Sequence, residues 1–303
     1  MYLTGFADEA AHDLATQIAV TKELGWSHIE SRRIDKVMIH DLDDAAFDQV
    51  CAQLDGSGVR INCFGSAIAN WATSIDKPFD GTCAEAKRSI SRMQRLGTKL
   101  VRIMSFAVRK DAAGVVVDDQ LDAERFRRLR ELQAMFAGAG LVAVHENCMN
   151  YGGMGWTYTR RMLDNVPGLQ LVFDTGNPTH SDDWSVSQRS NGARPKQSSW
   201  EFYHQIREHV AYVHIKDGRM LPDGTHVHTW PGEGEGDVRR ILADLLARGY
   251  DGGISIEPHI ASVFHDPSVV DTEAKMRLSY LEYGRRTMRL LEELGERRLS
   301  AQP

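Results

Sequence analysis

Eight times along this chain a short run of apolar and β-branched residues gives way to turn residues and then to a segment with apolar positions three and four apart. Such alternation constrains the fold strongly, because consecutive parallel strands need a crossover and the usual crossover is a helix. The strand-like runs are 2–6, 27–30, 60–64, 99–106 and four more that end at Glu146, Asp174, His214 and Glu257. After the first, Asp8 and Glu9 place acid at the start of a helix that Gly25 ends. The later helical segments fall near 43–54, 81–96, 119–139, 157–166, 199–210, 237–248 and 272–294. In the fourth of these helices Phe126, Leu129, Leu132 and Phe136 recur with Arg127, Arg128 and Arg130 between them, an amphipathic period. Eight complete units with no segment left over predict an α/β protein, one closed (β/α)8 TIM barrel over residues 1–303, rather than an open sheet. The β-α unit recurs without a strict repeat of residues, and 297–303 is expected to fray.

Four of the runs end in side chains able to bind a metal: Val-Ala-Val-His-Glu146, Leu-Val-Phe-Asp174, Tyr-Val-His214 and Ile-Ser-Ile-Glu257. In a closed parallel barrel the carboxyl ends of the strands share one rim, so residues distant in sequence can meet around one ion there. Two Glu, one Asp and one His form a mostly hard donor set, suited first to Mn²⁺ and also to Mg²⁺, Co²⁺ or Zn²⁺. Singly, an acid at a strand end is as readily a helix cap or half of an ion pair. Four together at one rim favour a ligand set.

Charge and composition narrow the partners. A formal net charge of -6 gives no broad cationic surface for a phosphate backbone, so nucleic acid is not expected. Cys51, Cys63, Cys83 and Cys148 show no CxxC pairing and are expected as reduced residues of a cytoplasmic protein. No secretory signal and no apolar run long enough for a membrane span is visible.

Other rim positions are candidates for substrate. Glu30 ends its strand on the same rim, Asn147 follows Glu146, and His259 shares the face of Glu257. Lys216 and Arg219 could hold a hydroxyl, carboxylate or phosphate, or pair with Asp217. His145 should point to the opposite face of its strand, and Arg102, inside a strand, should be buried with a partner. Segment 181–198 is long for a loop in a compact domain and is expected as a lid, a partner contact or a disordered stretch. Gly152, Gly153 and Gly155 permit a close backbone approach to a ligand. Gly232 to Gly236 lacks the Lys-Ser/Thr of a P-loop and reads as a tight rim loop before a helix capped by Asp237.

His145-Glu146-Asn147, Phe173-Asp174-Thr-Gly-Asn177, His214-Ile-Lys-Asp217, Gly232-Glu-Gly-Glu-Gly-Asp237 and Ile256-Glu257-Pro-His259, in this order, resemble the xylose-isomerase-like sugar isomerase/epimerase superfamily. Gly5-Phe-Ala-Asp-Glu9 and Ile29-Glu30 extend the resemblance over nearly the whole chain. It implies a barrel with one divalent metal held by Glu146, Asp174, His214 and Glu257, with Glu146 and Glu257 also exchanging protons with a small carbohydrate. It implies a homo-oligomer as well, a dimer or tetramer. Asn177 stands where ketose epimerases of the superfamily carry a substrate-binding His, and would offer the substrate a different polar contact. The His and Asp ring of the related apurinic endonucleases is incomplete, with only His226 and His228 in similar places. A metal chelating a carbonyl and the neighbouring hydroxyl stabilises an enediolate, from which epimerisation, aldose-ketose isomerisation or β-elimination can follow. The first expectation is therefore a metal-dependent isomerase or epimerase, the second a dehydratase or lyase acting on a keto-sugar, keto-inositol or 3-keto-glycoside. A non-catalytic sugar-binding barrel is the alternative from another class.

Overall fold

All eight strands are present, parallel, in one sheet: β1 (Tyr2–Gly5), β2 (His28–Ser31), β3 (Arg60–Phe64), β4 (Leu100–Ile103), β5 (Val142–Glu146), β6 (Gln170–Asp174), β7 (Val210–Ile215) and β8 (Gly253–Ile256). The computed structural model describes residues 1–188, 192–263 and 266–300. Each strand pairs with its neighbour in sequence, and β8 pairs with β1 from Tyr2 beside Gly253 to Gly5 beside Ile256. A parallel bridge between Phe6 and Glu30 joins β1 to β2, so the expected closed barrel is what the chain forms. The covering helices are α1 (Leu14–Glu23), α2 (Asp44–Leu54), α3 (Asp80–Leu96), α4 (Asp122–Gly138), α5 (Trp156–Asn165), α6 (Ser199–Ile206), α7 (Val238–Ala247) and α8 (Glu273–Ser300). Among the described residues no helix is long and apolar enough to cross a membrane.

Local chemistry sets the boundaries and corrects several expectations. The first helix begins at Asp13, whose carboxylate accepts the Thr16 N–H at 2.8 Å, a cap worth about 1 kcal/mol. Asp8 and Glu9 lie instead in a short 3₁₀ turn, and Glu9 is buried. Strand β4 stops at Ile103, not 106, because the Met104 and Phe106 N–H groups go to Ile68 and Ala69 carbonyls and Phe106 takes φ 67°. Helix α4 starts late because Leu121 has φ 53°. Its Phe126, Leu129, Leu132 and Phe136 are buried as the period predicts, whereas Arg128 is buried as well and reaches the Lys77 carbonyl at 2.9 Å. Asp237 makes no side-chain cap for α7 and accepts the Trp200 N–H instead. Helix α8 continues to Ser300, past the point where fraying was expected, and 301–303 lie outside the described residues.

Strand alternation fills the barrel. Cys63, Val144, Val172 and Tyr212 pack together inside it. Beside them Thr4 donates to Asn62 at 2.9 Å, and Asn62 donates to the Tyr212 hydroxyl at 2.9 Å. Gly253 is required here, since a Cβ would stand 2.3 Å from the Tyr212 ring and 2.9 Å from that of Tyr2. The period of two then carries the next inward position of each strand toward the rim: Glu30, Arg102, Glu146, Asp174, His214 and Ser255. All six are buried. His145, one position off that face on β5, is buried on the helix side with its Nε2 3.0 Å from Ser105 Oγ, and burial lowers its pKa to about 4. The four cysteines are free, Cys63 and Cys148 buried and the other two half-buried.

Candidate active site

One donor atom each from Glu146, Asp174, His214 and Glu257 falls within 4.8 Å of all the others. Every one of these side chains is buried. Their supports orient them. His214 Nε2 lies 3.0 Å from Glu30 Oε2, and Ser255 Oγ donates to the same oxygen at 2.6 Å. A carboxylate behind one ring nitrogen fixes the tautomer and leaves the other nitrogen as a ligand. That other nitrogen, Nδ1, is buried without a hydrogen-bond partner, 3.6 Å from Glu146 Oε1 and 3.9 Å from Glu257 Oε2. Asp174 is also held in place: Oδ1 accepts the Gly176 and Asn177 N–H groups at 2.8 and 2.6 Å, while buried Oδ2 is ion-paired with the Lys216 ammonium at 3.0 Å. His214 Nδ1, orphaned among three carboxylates, fits a metal ion.

Acidic groups outnumber basic ones around these donors. Asp8, Glu9, Glu30, Glu146, Asp174 and Glu257 confront Arg32, Arg102 and Lys216, and His214 and His259 add positive charge when protonated. Burial pushes the Glu146 carboxyl up, but Arg102 and His214 outweigh it and bring its pKa down to about 2. Glu257 is likewise raised by burial and drawn well below the carboxylate range by Lys216, His259, Arg32 and His214. Asp174 goes the other way, to about 7, because burial and the neighbouring Glu257 and Glu146 outweigh Lys216. Burial opposes a charge on His214, yet Glu30 and Glu146 raise its pKa to about 10. Such opposed shifts among adjacent groups are typical of functional sites.

Of the substrate candidates, Asn177, Lys216 and His259 line a cavity of about 150 Å³ that Glu146 and Glu257 also line, together with Arg32 and Arg102. Asn177 Nδ2 donates to Glu146 Oε1 at 3.1 Å, and Lys216 Nζ lies 2.9 Å from Glu257 Oε2. His259 takes φ 51°, and Glu9 holds both its backbone N–H and its Nδ1, at 2.8 and 2.9 Å. The other three are placed differently. Glu30 lies beneath His214 as its carboxylate partner rather than at the cavity. Asn147 spends its amide on the Asp174 backbone, at 2.7 and 3.0 Å, and ties β5 to β6. Arg219 is exposed on the rim hairpin of Gly218–Met220 with His226–His228. Asp217 pairs with neither Lys216 nor Arg219: its carboxylate accepts the N–H groups of Gly218, Gly232, Gly234 and Gly236 at 2.9 to 3.0 Å, which explains the glycine-rich run. Gly152 and Gly153 serve packing, since a Cβ would meet the His145 ring at 2.4 Å and the Cys148 carbonyl at 1.6 Å respectively.

One residue of the site, Arg32, escaped the sequence reading, and another, Arg102, was read with a structural role. Arg32 is fully buried and bridges Asp8, Glu9 and Glu257 at 2.9, 3.2 and 3.1 Å. Its position two beyond Glu30, on the same face, was the available signal. Arg102 was expected to form a structural ion pair, and its partner is Glu146 at 3.0 Å, which makes it part of the site. His180, His226, His228 and His259 stand in a row on the cavity wall with ring centroids 4.6, 4.9 and 5.0 Å apart. Burial and the adjacent His259 and Lys216 drive the pKa of His228 down to about 2, so its imidazole is neutral.

A closed parallel barrel with a carboxylate and histidine constellation on its C-terminal rim defines a TIM barrel with a candidate metal site. The chain belongs to the xylose isomerase-like TIM barrel family, whose model matches residues 18–282. A 3-dehydroshikimate dehydratase of Pseudomonas putida is 29% identical over 177 residues, 57% of this chain and 25% of that enzyme. The match thus spans about a quarter of the dehydratase's length. A xylose isomerase-like TIM barrel protein of Mycobacterium smegmatis, solved in complex with magnesium, superposes with a TM-score of 0.66 at 18% identity over 92% of this chain and 88% of the other. A D-allulose 3-epimerase of Methylomonas sp., solved with D-allulose, gives 0.63 at 16% identity over 94% and 96% of the two chains. At these identities the solved structures establish the shared fold.

Proposed function

We propose that the protein is a divalent-metal-dependent isomerase or epimerase of a sugar, keto-sugar or polyol derivative, acting through an enediolate with Glu146 and Glu257 as the proton-transfer pair. The observation that carries this reading is the convergence of Glu146, Asp174, His214 and Glu257 with His214 Nδ1 left unbonded among the carboxylates. A divalent ion held by these four, Mn²⁺ by the oxygen-rich donor set, would supply positive charge against the enediolate oxygens. The rest falls to the chain's own groups. Both glutamates are charged near neutrality, so either can take the proton next to the carbonyl, and the other can return one to the same or the adjacent carbon. Arg102 and Arg32 fix the two carboxylates from behind. Lys216 keeps its charge, since Asp174 and Glu257 outweigh its burial, and offers a donor to a substrate oxygen. Neutral His228 and the amide of Asn177 can bond to hydroxyls.

The dehydratase relative favours a second reading, in which the same proton abstraction is followed by loss of the β-oxygen. One experiment covers both. The Mn²⁺-loaded protein is incubated in D₂O with a panel of ketoses, keto-inositols and 3-keto-glycosides and followed by proton NMR. Deuterium next to the carbonyl with a new epimer or shifted carbonyl supports the first reading, and an unsaturated product the second. No exchange and no consumption across the panel would refute the enediolate reading. A homo-oligomer, dimer or tetramer, belongs to the same proposal, and a monomeric mass by light scattering would reject it.

A further inference from the structure

The cavity that Glu146 and Glu257 line opens into a second and larger chamber. Trp71, Met149 and His180 line both. The inner chamber, about 150 Å³, is smaller than the roughly 300–1,000 Å³ of sites that enclose drug-sized ligands, whereas the outer one, about 510 Å³, lies within that range. Their walls differ in chemistry. Arginine, lysine, carboxylate and imidazole groups surround the inner space. Trp71, Trp184, Val108, Val116, Met149 and Met154 supply much of the outer wall, and one of its charges, Asp182, is already paired with Lys196 at 2.9 Å.

Two further observations show that the outer chamber is built. Its wall comes from rim segments braced against one another: Trp184 N–H donates to the Met154 carbonyl at 2.8 Å, Gln197 donates to that of Gly153 at 2.8 Å, and an antiparallel bridge joins Lys110 to Val116. Half of the large apolar side chains exposed among the described residues also belong to these segments. Met149 is 45% exposed and lines the chamber, and Val115 and Val186, 59% and 43% exposed, flank Val116 and Trp184 in the chain. An exposed apolar group in the wall beside a polar site marks a contact with an apolar ligand group.

We infer that the substrate is bipartite: a small oxygenated ring in the inner chamber carries an aromatic or similarly flat apolar substituent that occupies the outer one, as in an aryl glycoside whose sugar ring bears a carbonyl. This rests on the reading above for the inner ring and adds the second group. Tryptophan and methionine offer an aromatic face stacking and sulfur contacts. The segment 181–198, expected as a lid or partner contact, supplies Ser181, Asp182 and Trp184 to this wall; its residues 189–191 lie outside the described residues.

The test compares 4-nitrophenyl and methyl 3-keto-β-glucosides with the Mn²⁺-loaded protein, following loss of the proton signal next to the carbonyl in D₂O. The aryl compound should be favoured by about tenfold or more in kcat/KM, the least that an added apolar contact of this size brings. Trp184→Ala and Met149→Ser should each lower that ratio, and Met149, being exposed, keeps the test open if Trp184→Ala loosens its loop. Equal kcat/KM for the two compounds, or a preference that survives both substitutions, overturns the inference while the enediolate reading stands. If neither compound reacts, the panel above decides that reading, and calorimetry with the unoxidised 4-nitrophenyl and methyl β-glucosides decides the inference separately. Tighter aryl binding lost in Trp184→Ala upholds it, and equal binding or none overturns it.

Discussion

Replacing Glu257 by Gln and Asp174 by Asn removes one charged donor each with little change in volume, yet the structure gives the two changes different consequences. Glu257 Oε1 lies 3.1 Å from Arg32 and Oε2 2.9 Å from Lys216. Breaking a buried pair by removing one partner costs about 3–5 kcal/mol. Arg32 would keep Asp8 and Glu9 at 2.9 and 3.2 Å and Lys216 would keep Asp174 at 3.0 Å, so the loss should sit at the low end of that range and leave the protein folded. The remaining amide oxygen can still face the ion but cannot take a proton, so turnover should fall by the ~10²–10⁴ typical of a lost general base. In Asp174→Asn the amide oxygen stays with the Gly176 and Asn177 N–H groups, and the NH₂ turns toward Lys216 and the ion, where it donates instead of accepting. That change should act mainly on affinity. The assay is a Mn²⁺ titration by calorimetry alongside the D₂O exchange rate at rising Mn²⁺. Saturating Mn²⁺ should restore Asp174→Asn appreciably and Glu257→Gln hardly at all, with Glu146→Gln like Glu257→Gln. Equal rescue of all three would falsify the assignment of the glutamates to proton transfer.

Glu30→Gln should weaken Mn²⁺ binding by ~10–100-fold in calorimetry without abolishing turnover at saturating metal, because it touches the ion only through His214 Nε2. Gly253→Ala should lower stability by about 1–3 kcal/mol in urea unfolding, since the Tyr212 and Tyr2 rings leave its methyl no space. His228, held neutral by burial and by its cationic neighbours, has a folded pKa of about 2 against 6.5 for the free side chain. The unfolded chain then binds the extra proton below pH ~6.5, so this residue removes stability as pH falls through that value, by at most ~1.4 kcal/mol per pH unit. Urea midpoints between pH 7 and 4 should therefore fall less steeply in His228→Gln, and an unchanged slope would count against a neutral buried imidazole.

The sequence alone determined the architecture and the convergence of four candidate donors, and the reason is periodicity. Eight strand-helix units leave little choice but a closed parallel barrel, and such a barrel brings the ends of its strands, hence Glu146, Asp174, His214 and Glu257, to one rim. Only the tertiary structure decided what each neighbouring polar residue does, because a hydrogen bond or ion pair depends on distances that close across the barrel. Glu30 and His214 are 184 residues apart in the chain and 3.0 Å apart in space, and Arg32 meets Glu257 across 225 residues. From sequence Glu30 and Asn147 are rim residues indistinguishable from Asn177; in the fold one supports a histidine, one ties two strands together, and the third faces the cavity. The outer chamber was hidden for the same reason. Its wall joins Trp71, Val116, Met154 and Trp184 from four separate rim segments, whose conformations depend on packing against each other rather than on any local pattern.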